Sequence, residues 1–137
     1  MPSITTAVVA EWEDCDPAGI IFYPRFFSYF DRGTWNLWYS LGMTRGVMRA
    51  WGAIGMPILD AKAEFLYPCR FKDVLKLEST VEELRDKTVK IAHRIHNGDK
   101  LAVTGYEVRF WGAPHPDDPL RLRAAVFPEQ VRALLGG

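Results

Sequence analysis

Alternating apolar and polar positions predict a β-strand near the start of the chain and several more in its second half. In Thr5–Glu13, apolar Val8, Ala10 and Trp12 alternate with a set that includes two glutamates, as in a strand with one buried face. Later segments carry comparable strand signals: Ile58–Tyr67, Val74–Leu84, Thr88–His96, Leu101–Trp111 and the short Leu120–Val126. Asn97-Gly98 is a typical hairpin dipeptide. The pattern predicts an antiparallel sheet with one face in water.

A long amphipathic helix is predicted between the first strand and the others. Pro24 suits its first position and Gly42 the residue after its last turn, so we expect a helix over Pro24–Leu41. Its mostly apolar face is formed by Phe27, Phe30, Thr34, Leu37, Trp38 and Leu41. Gly33 costs about 1 kcal/mol of helix propensity relative to Ala, which makes sense if the backbone packs closely against a neighbour there.

The order of these elements predicts the fold class. One aromatic helix beside an antiparallel sheet of about five strands is an α+β arrangement in two layers, with the sheet curled around the helix. Gly42–Pro57 is predicted to be irregular and Pro128–Leu135 to be a short helix. No repeat or linker interrupts the pattern, so we expect residues 1–137 to form a single domain whose exposed sheet edges favour self-association.

Composition and charge exclude several classes of protein. Hydrophobic residues make up 48% of the chain and aromatic residues 13%, which supports a packed core and argues against a disordered chain. The 17 Lys plus Arg balance 17 Asp plus Glu, so no overall positive field would attract nucleic acid or an anionic membrane. The first residues, Met1-Pro2-Ser3-Ile4, show neither the basic stretch nor the apolar run expected of a secretory signal, and no apolar run reaches the roughly 18 residues of a membrane span. We expect a cytoplasmic protein.

Cysteine and histidine positions do not favour metal chemistry. Cys15 and Cys69 form no C-x-x-C pair, and no cluster of His and Cys has ligand spacing, so we expect no metal and reduced thiols. His93 and His96 are three residues apart on a predicted strand and should face opposite sides, which prevents joint chelation. We expect His93 to be hydrogen-bonded and semi-buried, and Cys15 to be a small apolar residue at a strand end.

The loop before the long helix is the strongest candidate for chemistry. It reads Asp14-Cys15-Asp16-Pro17-Ala18-Gly19. A helix N-terminus has unpaired N–H groups that can bind an oxyanion and favour a nearby carboxylate. An aspartate, with an ordinary pKa of about 3.9, is ionised at neutral pH and could attack an activated acyl carbon or take a proton from water. The alternative is that Asp14 and Asp16 only cap or close the turn.

Charged residues elsewhere could bind a ligand or simply face solvent. Asp31 borders the apolar stripe of the helix, where a carboxylate could orient a ligand hydroxyl; the alternative is an ion pair with Arg32 or Arg25. Basic residues near a predicted turn and near the C-terminus could bind phosphates or remain solvated: Arg85, Lys87, Lys90, Arg121 and Arg123.

The run from Asp14 to Pro24, followed by Asp31, resembles the 4-hydroxybenzoyl-CoA thioesterase family of hotdog-fold proteins. The resemblance covers nearly the whole chain. Its further matching segments are Gly55-Met56-Pro57-Ile58, Asp73-Val74-Leu75, the Arg85/Lys87 turn and Leu120-Arg121-Leu122-Arg123-Ala124. It implies a hotdog fold, in which the sheet curls around one long central helix, and hydrolysis of an acyl-CoA thioester.

The resemblance also implies roles for residues of the candidate loop and helix. Asp16 would be the catalytic carboxylate, attacking the thioester carbonyl to give an acyl-enzyme anhydride that water hydrolyses. The backbone N–H of Tyr23 would polarise that carbonyl. Asp31 would receive the ring hydroxyl of a 4-hydroxybenzoyl group.

Binding of coenzyme A and assembly follow from the same resemblance. Arg85 and Lys87 would contact the CoA phosphates; Asp86 stands where the characterised branch has a basic residue, which leaves Lys87, Lys90 or Arg121 to compensate. CoA would be part of the substrate, with no further cofactor. Active sites in such proteins lie between subunits, so we expect a homodimer at least, and tetramers are usual.

These observations favour an aromatic acyl-CoA thioesterase, with 4-hydroxybenzoyl-CoA as the leading substrate because of Asp31. A short aliphatic or another hydroxylated aromatic acyl group is the second hypothesis. The third is a non-catalytic acyl-CoA binding domain, in which the helix N-terminus holds the carbonyl without cleaving the thioester. A hydratase is disfavoured because no histidine lies near Asp16 in the sequence.

Overall fold

The computed structural model describes residues 1–137 and contains six strands and three α-helices. In chain order they are β1 (Ser3–Val9), α1 (Pro24–Ser40), α2 (Arg45–Ala50), β2 (Ile58–Phe65), β3 (Val74–Leu84), β4 (Thr88–Asn97), β5 (Lys100–Pro114), β6 (Leu122–Ala125) and α3 (Glu129–Leu134). No helix is both long and apolar enough to span a bilayer.

The strands form one antiparallel sheet in the order β1-β3-β4-β5-β2, and β6 pairs with the end of β5. β3 and β4 begin or end within one residue of the predicted strands, because their one-sided alternation places every second side chain in the core. α1 lies against one face of this sheet. The predicted α+β architecture of one long helix and an antiparallel sheet is thus confirmed.

Two local predictions are wrong. The first strand ends at Val9 rather than Glu13, because Trp12–Asp14 form a 3-10 turn whose Asp14 carboxylate accepts a hydrogen bond from the Glu11 amide. Trp12 therefore points outward, with 63% of its surface exposed. Within the supposedly irregular segment after α1 lies the short helix α2, which is capped by the hydroxyl of Thr44.

The helix α1 buries a broader stripe than the sequence pattern predicts. Its buried residues are Phe26, Tyr29, Phe30, Gly33, Thr34, Leu37 and Trp38, while Phe27 and Leu41 are only partly buried. The close approach predicted at Gly33 is confirmed: an added Cβ would lie 2.7 Å from Leu77 Cδ2 and nearer still to Ser79 Oγ, both on β3. A larger residue here would force Leu77, Ser79 or the helix itself to shift.

The core consists of two apolar clusters with polar residues between them. One cluster contains Leu37, Trp38 and Trp111, and the other contains Phe26 and Phe30. The polar residues are Thr34, Ser79, His93, Glu107 and Arg109, none more than 4% exposed. His93, expected to be semi-buried, is fully enclosed.

Candidate active site

The loop that precedes α1 is a small hairpin. The Phe22 amide donates to the Asp14 carbonyl at 2.8 Å, and the Asp16 amide donates to the Ile20 carbonyl at 2.9 Å. Gly19 closes the turn at φ +78°, a conformation that favours glycine. The returning arm is itself fixed to a neighbouring segment, because the Ile21 amide donates to the Cys69 carbonyl. The backbone around the two aspartates is therefore well anchored.

Asp14 is a structural residue of this hairpin. Its Oδ2 accepts hydrogen bonds from the Tyr29 hydroxyl at 2.9 Å and the Glu11 amide at 3.1 Å, and its side chain is 14% exposed. Arg25 Nε lies 3.8 Å from Oδ1. Burial and the bond to Asp14 together raise the pKa of Tyr29, so this hydroxyl stays a donor. The turn-and-cap interpretation is correct for Asp14, which ties the loop to α1.

Asp16 has a freer carboxylate. Its Oδ1 accepts a hydrogen bond from the Ala18 amide at 2.8 Å, a local Asx turn, and none of the chain's hydrogen bonds or ion pairs involves its other oxygen. The side chain is half-buried. Asp16 therefore also helps to close the turn, yet one of its oxygens remains available to a ligand.

A free backbone donor stands at the start of α1. Pro24 has no N–H, and the amides of Arg25 and Phe26 donate to the carbonyls of Phe22 and Tyr23. The Tyr23 N–H makes no hydrogen bond within the chain. It can donate to a ligand oxygen where the helix dipole favours negative charge.

An apolar cavity of about 320 Å³ opens beside this donor. Its walls come from the hairpin, the start of α1, the end of β2 with the segment after it, and β5: Ile20, Ile21, Tyr23, Phe26, Phe65, Leu66, Tyr67, Pro68, Cys69 and Val103. A cavity of about 150 Å³ suffices for benzene, so this one can take a substituted benzoyl group. Its β2 side is open, because β2 is an edge strand and Phe65 and Leu66 are 50% and 57% exposed.

Asp31 pairs with Arg109, a partner that the sequence pattern did not predict. Arg109 Nη2 donates to Asp31 Oδ1 at 2.7 Å, and the Asp31 side chain is 56% exposed. The expected partners are wrong: Arg25 lies by Asp14, and Arg32 packs over the Tyr29 ring. The pairing depends on how α1 is placed across the sheet, because Arg109 on β5 is 78 residues from Asp31 in the sequence. The only sequence feature that could have indicated this pair is the presence of two charged residues, Glu107 and Arg109, on the inward-facing side of a strand.

The four predicted CoA-binding residues do not all come together. Arg85 and Lys90 line one groove on the outer face of the sheet. Arg85 Nε lies 3.0 Å from Glu83, while Lys90 Nζ lies 3.7 Å from Glu82 and over the ring of Tyr106. The other two, Lys87 and Arg121, do not line that groove; both are exposed.

Neither cysteine has the properties of a nucleophile. Burial and the charges of Asp14 and Asp16 raise the pKa of Cys15, and burial raises that of Cys69 to about 11. Both therefore stay thiols at neutral pH. No group of three or more His, Cys, Asp or Glu side chains is arranged to hold a metal ion. Of the two aspartates in the loop, Asp16 is the nearer in sequence to the start of α1 and the one with a free carboxylate oxygen.

This combination of fold and loop defines a known class of proteins. A model of the thioesterase-like superfamily matches residues 10–135. The chain belongs to this superfamily and is an acyl-CoA thioesterase of the hotdog fold, which confirms the resemblance found in the sequence.

Individual relatives are similar over nearly the full length. A 4-hydroxybenzoyl-CoA thioesterase from Pseudomonas sp. (strain CBS-3) is 31% identical, with 92% of each chain covered. An aspartate-to-asparagine mutant of 4-hydroxybenzoyl CoA thioesterase, crystallised with 4-hydroxybenzoyl CoA, superposes with a TM-score of 0.90 at 28% identity, covering 98% of this chain and 99% of that one. A 1,4-dihydroxy-2-naphthoyl-CoA thioesterase from Synechocystis shares the fold at 16% identity (TM-score 0.83; 98% and 96% covered).

Proposed function

We propose that this enzyme hydrolyses an aromatic acyl-CoA, with 4-hydroxybenzoyl-CoA as its substrate, and that Asp16 is the catalytic carboxylate. The observation that carries the proposal is the loop itself: a carboxylate with a free oxygen lies in the hairpin that leads directly to an unpaired N–H at a helix N-terminus. The adjoining cavity is apolar and large enough for a benzoyl ring. The similarity to the Pseudomonas thioesterase supports the choice of acyl group.

The proposed reaction needs only a carboxylate and water. An Asp16 oxygen attacks the thioester carbonyl carbon, and the Tyr23 N–H donates to the oxygen as negative charge builds on it. The C–S bond then breaks, the CoA thiolate leaves and takes a proton from water, and an acyl–Asp16 anhydride remains. Water cleaves the anhydride to the free acid and restores Asp16. If Asp16 acts as a general base instead, it removes the proton of the attacking water at the same position. CoA is part of the substrate, and we propose no metal or further cofactor.

The same proposal assigns residues to the parts of the substrate that lie away from the reacting carbon. Asp31 accepts a hydrogen bond from the ring hydroxyl through the oxygen that Arg109 does not hold. Arg85 and Lys90 bind CoA phosphates from their shared groove, and Lys87 and Arg121 contribute from outside it.

The position of these groups supports a homo-oligomer as the working form. The cavity is lined by inward-facing Phe65 and Val103, whereas the groove is lined by outward-facing Lys90 and Tyr106. One thioester cannot readily engage both faces of the same sheet, so we propose that a second subunit completes each site. The open side of the cavity along the edge strand β2 is where it would pack. We propose a dimer at least, assembled as a tetramer, in the cytoplasm.

A panel of acyl-CoA substrates tests this function. Thiol release is followed with 4-hydroxybenzoyl-, benzoyl-, another hydroxylated aromatic and a short aliphatic CoA thioester, with Asp16→Asn as the control for enzymatic cleavage. We expect the highest kcat/KM with 4-hydroxybenzoyl-CoA. A preference for a different acyl group would reassign the substrate. Binding of every thioester without release of thiol would contradict catalysis and indicate a binding domain.

A further inference from the structure

Polar side chains form a layer across the apolar core, with each packed element contributing. α1 provides Thr34, β3 provides Ser79, β4 provides His93, and β5 provides Glu107 and Arg109. The apolar clusters lie on either side of this layer along all four elements. Such a layer costs stability relative to apolar side chains unless its members are fully paired.

The inner part of the layer is fully paired. His93 Nδ1 lies 2.8 Å from Ser79 Oγ, and His93 Nε2 lies 3.1 Å from Glu107 Oε1, which also accepts a hydrogen bond from the Thr34 hydroxyl. The His93 ring stacks on Phe30. Burial alone would raise the pKa of Glu107, but the hydrogen bond from His93 and the charge of Arg109 outweigh it and leave that pKa below its ordinary value. Glu107 is therefore a fixed, ionised acceptor.

Arg109 connects this buried layer to the surface. Its Nη2 lies 2.9 Å from Glu107 Oε2 and 2.7 Å from Asp31 Oδ1, and its Nη1 donates to the Met56 carbonyl at 3.1 Å. The guanidinium is 4% exposed, whereas Asp31 is more than half exposed. Asp31 is thus the one solvent-facing end of a chain of hydrogen bonds that is otherwise enclosed.

We propose that Arg109 is a positioning residue that sets substrate specificity: held by Glu107, it fixes one oxygen of Asp31 so that the other points to the hydroxyl of the aromatic acyl group. This inference rests on the role of Asp31 in the proposed function. A surface aspartate on a helix is normally mobile, and an exposed ion pair adds little to stability. Because Glu107 and the Met56 carbonyl hold the buried Arg109 guanidinium, it restricts the Asp31 side chain, and less conformational entropy is lost when the substrate hydroxyl binds.

The test measures the ratio of kcat/KM for 4-hydroxybenzoyl-CoA to that for benzoyl-CoA. Arg109→Lys keeps the positive charge beside Glu107, but a single ammonium group cannot reproduce the forked contacts. We expect the ratio to fall about tenfold, the size of one hydrogen bond to a charged group. Arg94→Lys is the matched control, because Arg94 is an exposed arginine on β4 of the same sheet; its ratio should not change.

A double-mutant cycle separates positioning from a merely structural role. In an Asp31→Ala background, Arg109→Lys should leave the ratio unchanged, because there is no carboxylate left to orient. Glu107→Gln, which preserves the shape of the layer and releases one restraint on the guanidinium, should lower the ratio as well. It provides a second route if Arg109→Lys fails to fold.

The outcomes distinguish this inference from the function on which it rests. If Asp31→Ala lowers the ratio while Arg109→Lys and Glu107→Gln do not, Arg109 does not position Asp31. Equal losses for both substrates would also overturn the inference, since a general structural defect does not sense the ring hydroxyl. If Asp31→Ala itself leaves the ratio unchanged, the ring-hydroxyl assignment of the proposed function fails.

Discussion

Replacing Gly33 with alanine should destabilise the protein even though alanine is the better helix former. In the interior of α1 the change gains about 1 kcal/mol of helix propensity. The new Cβ, however, would lie 2.7 Å from Leu77 Cδ2 and closer to Ser79 Oγ, well inside van der Waals contact. Overpacking of this kind costs about 1–3 kcal/mol.

The position of Ser79 raises that cost. Its Oγ is hydrogen-bonded to His93 Nδ1 at 2.8 Å in the buried layer, so it cannot rotate away without leaving a buried polar group unpaired. That adds about 1–3 kcal/mol. Once the propensity gain of about 1 kcal/mol is subtracted, the two costs lower the free energy of unfolding by about 1–5 kcal/mol. The midpoint of about 3 kcal/mol corresponds to a Tm lower by about 10 °C for a chain of this size.

Gly46→Ala is the matched control for this measurement. Gly46 is also helical, in α2, but nothing lies within 4 Å of an added Cβ. The substitution should therefore raise stability by a few tenths to about 1 kcal/mol. Thermal unfolding of both variants is followed by circular dichroism. An unchanged or raised Tm for Gly33→Ala would show that α1 does not pack directly on β3 at this position.

Three further predictions concern charge and hydrogen bonding. Tyr29→Phe removes the donor to the Asp14 carboxylate and should lower the free energy of unfolding in urea by about 1.5–3 kcal/mol. Because folding raises the pKa of Tyr29, the wild type should also lose stability as the pH rises above about 10. The variant has no phenol to ionise at this position, so it should lose less. The lowered pKa of Glu107 stabilises the fold above its ordinary pKa of about 4.3, so the free energy of unfolding should fall as pH drops through that region, with a shallower slope in Glu107→Gln; identical slopes would contradict the pairing. Because Arg85 and Lys90 line one groove, Arg85→Ala and Lys90→Ala should each raise KM for the acyl-CoA, most strongly at low salt. KM values equal to that of the wild type would show that this groove does not bind CoA.

Local patterns predicted most of the fold. Val74–Leu84 was predicted at its observed bounds because one face of β3 is buried along its length, and Pro24 predicted the first residue of α1. The end of β1 was missed because Trp12, apolar but outward-facing, continues the alternation past the real end of the strand. Period alone does not distinguish an exposed tryptophan from a buried one.

Sequence patterns did not predict the buried polar layer or the ion pair between Asp31 and Arg109. Thr34, Ser79 and His93 come together only through the register of β3 and β4 and the placement of α1, and the Arg109–Asp31 contact spans 78 residues. The hairpin before α1 could be predicted as a turn from Pro17 and Gly19. The catalytic role of Asp16 came from the family resemblance and stays a prediction.

Single-turnover thiol release by the paired variants Asp16→Asn and Asp14→Asn separates the two proposed roles in the loop, in which Asp16 performs the chemistry and Asp14 only supports the hairpin. Both substitutions remove one carboxylate from the same hairpin. We predict that Asp16→Asn retains the wild-type Tm and loses at least about 10³-fold in rate, whereas Asp14→Asn lowers Tm and keeps its rate within about tenfold. Release of thiol at the wild-type rate by a folded Asp16→Asn variant would show that Asp16 is not the catalytic carboxylate.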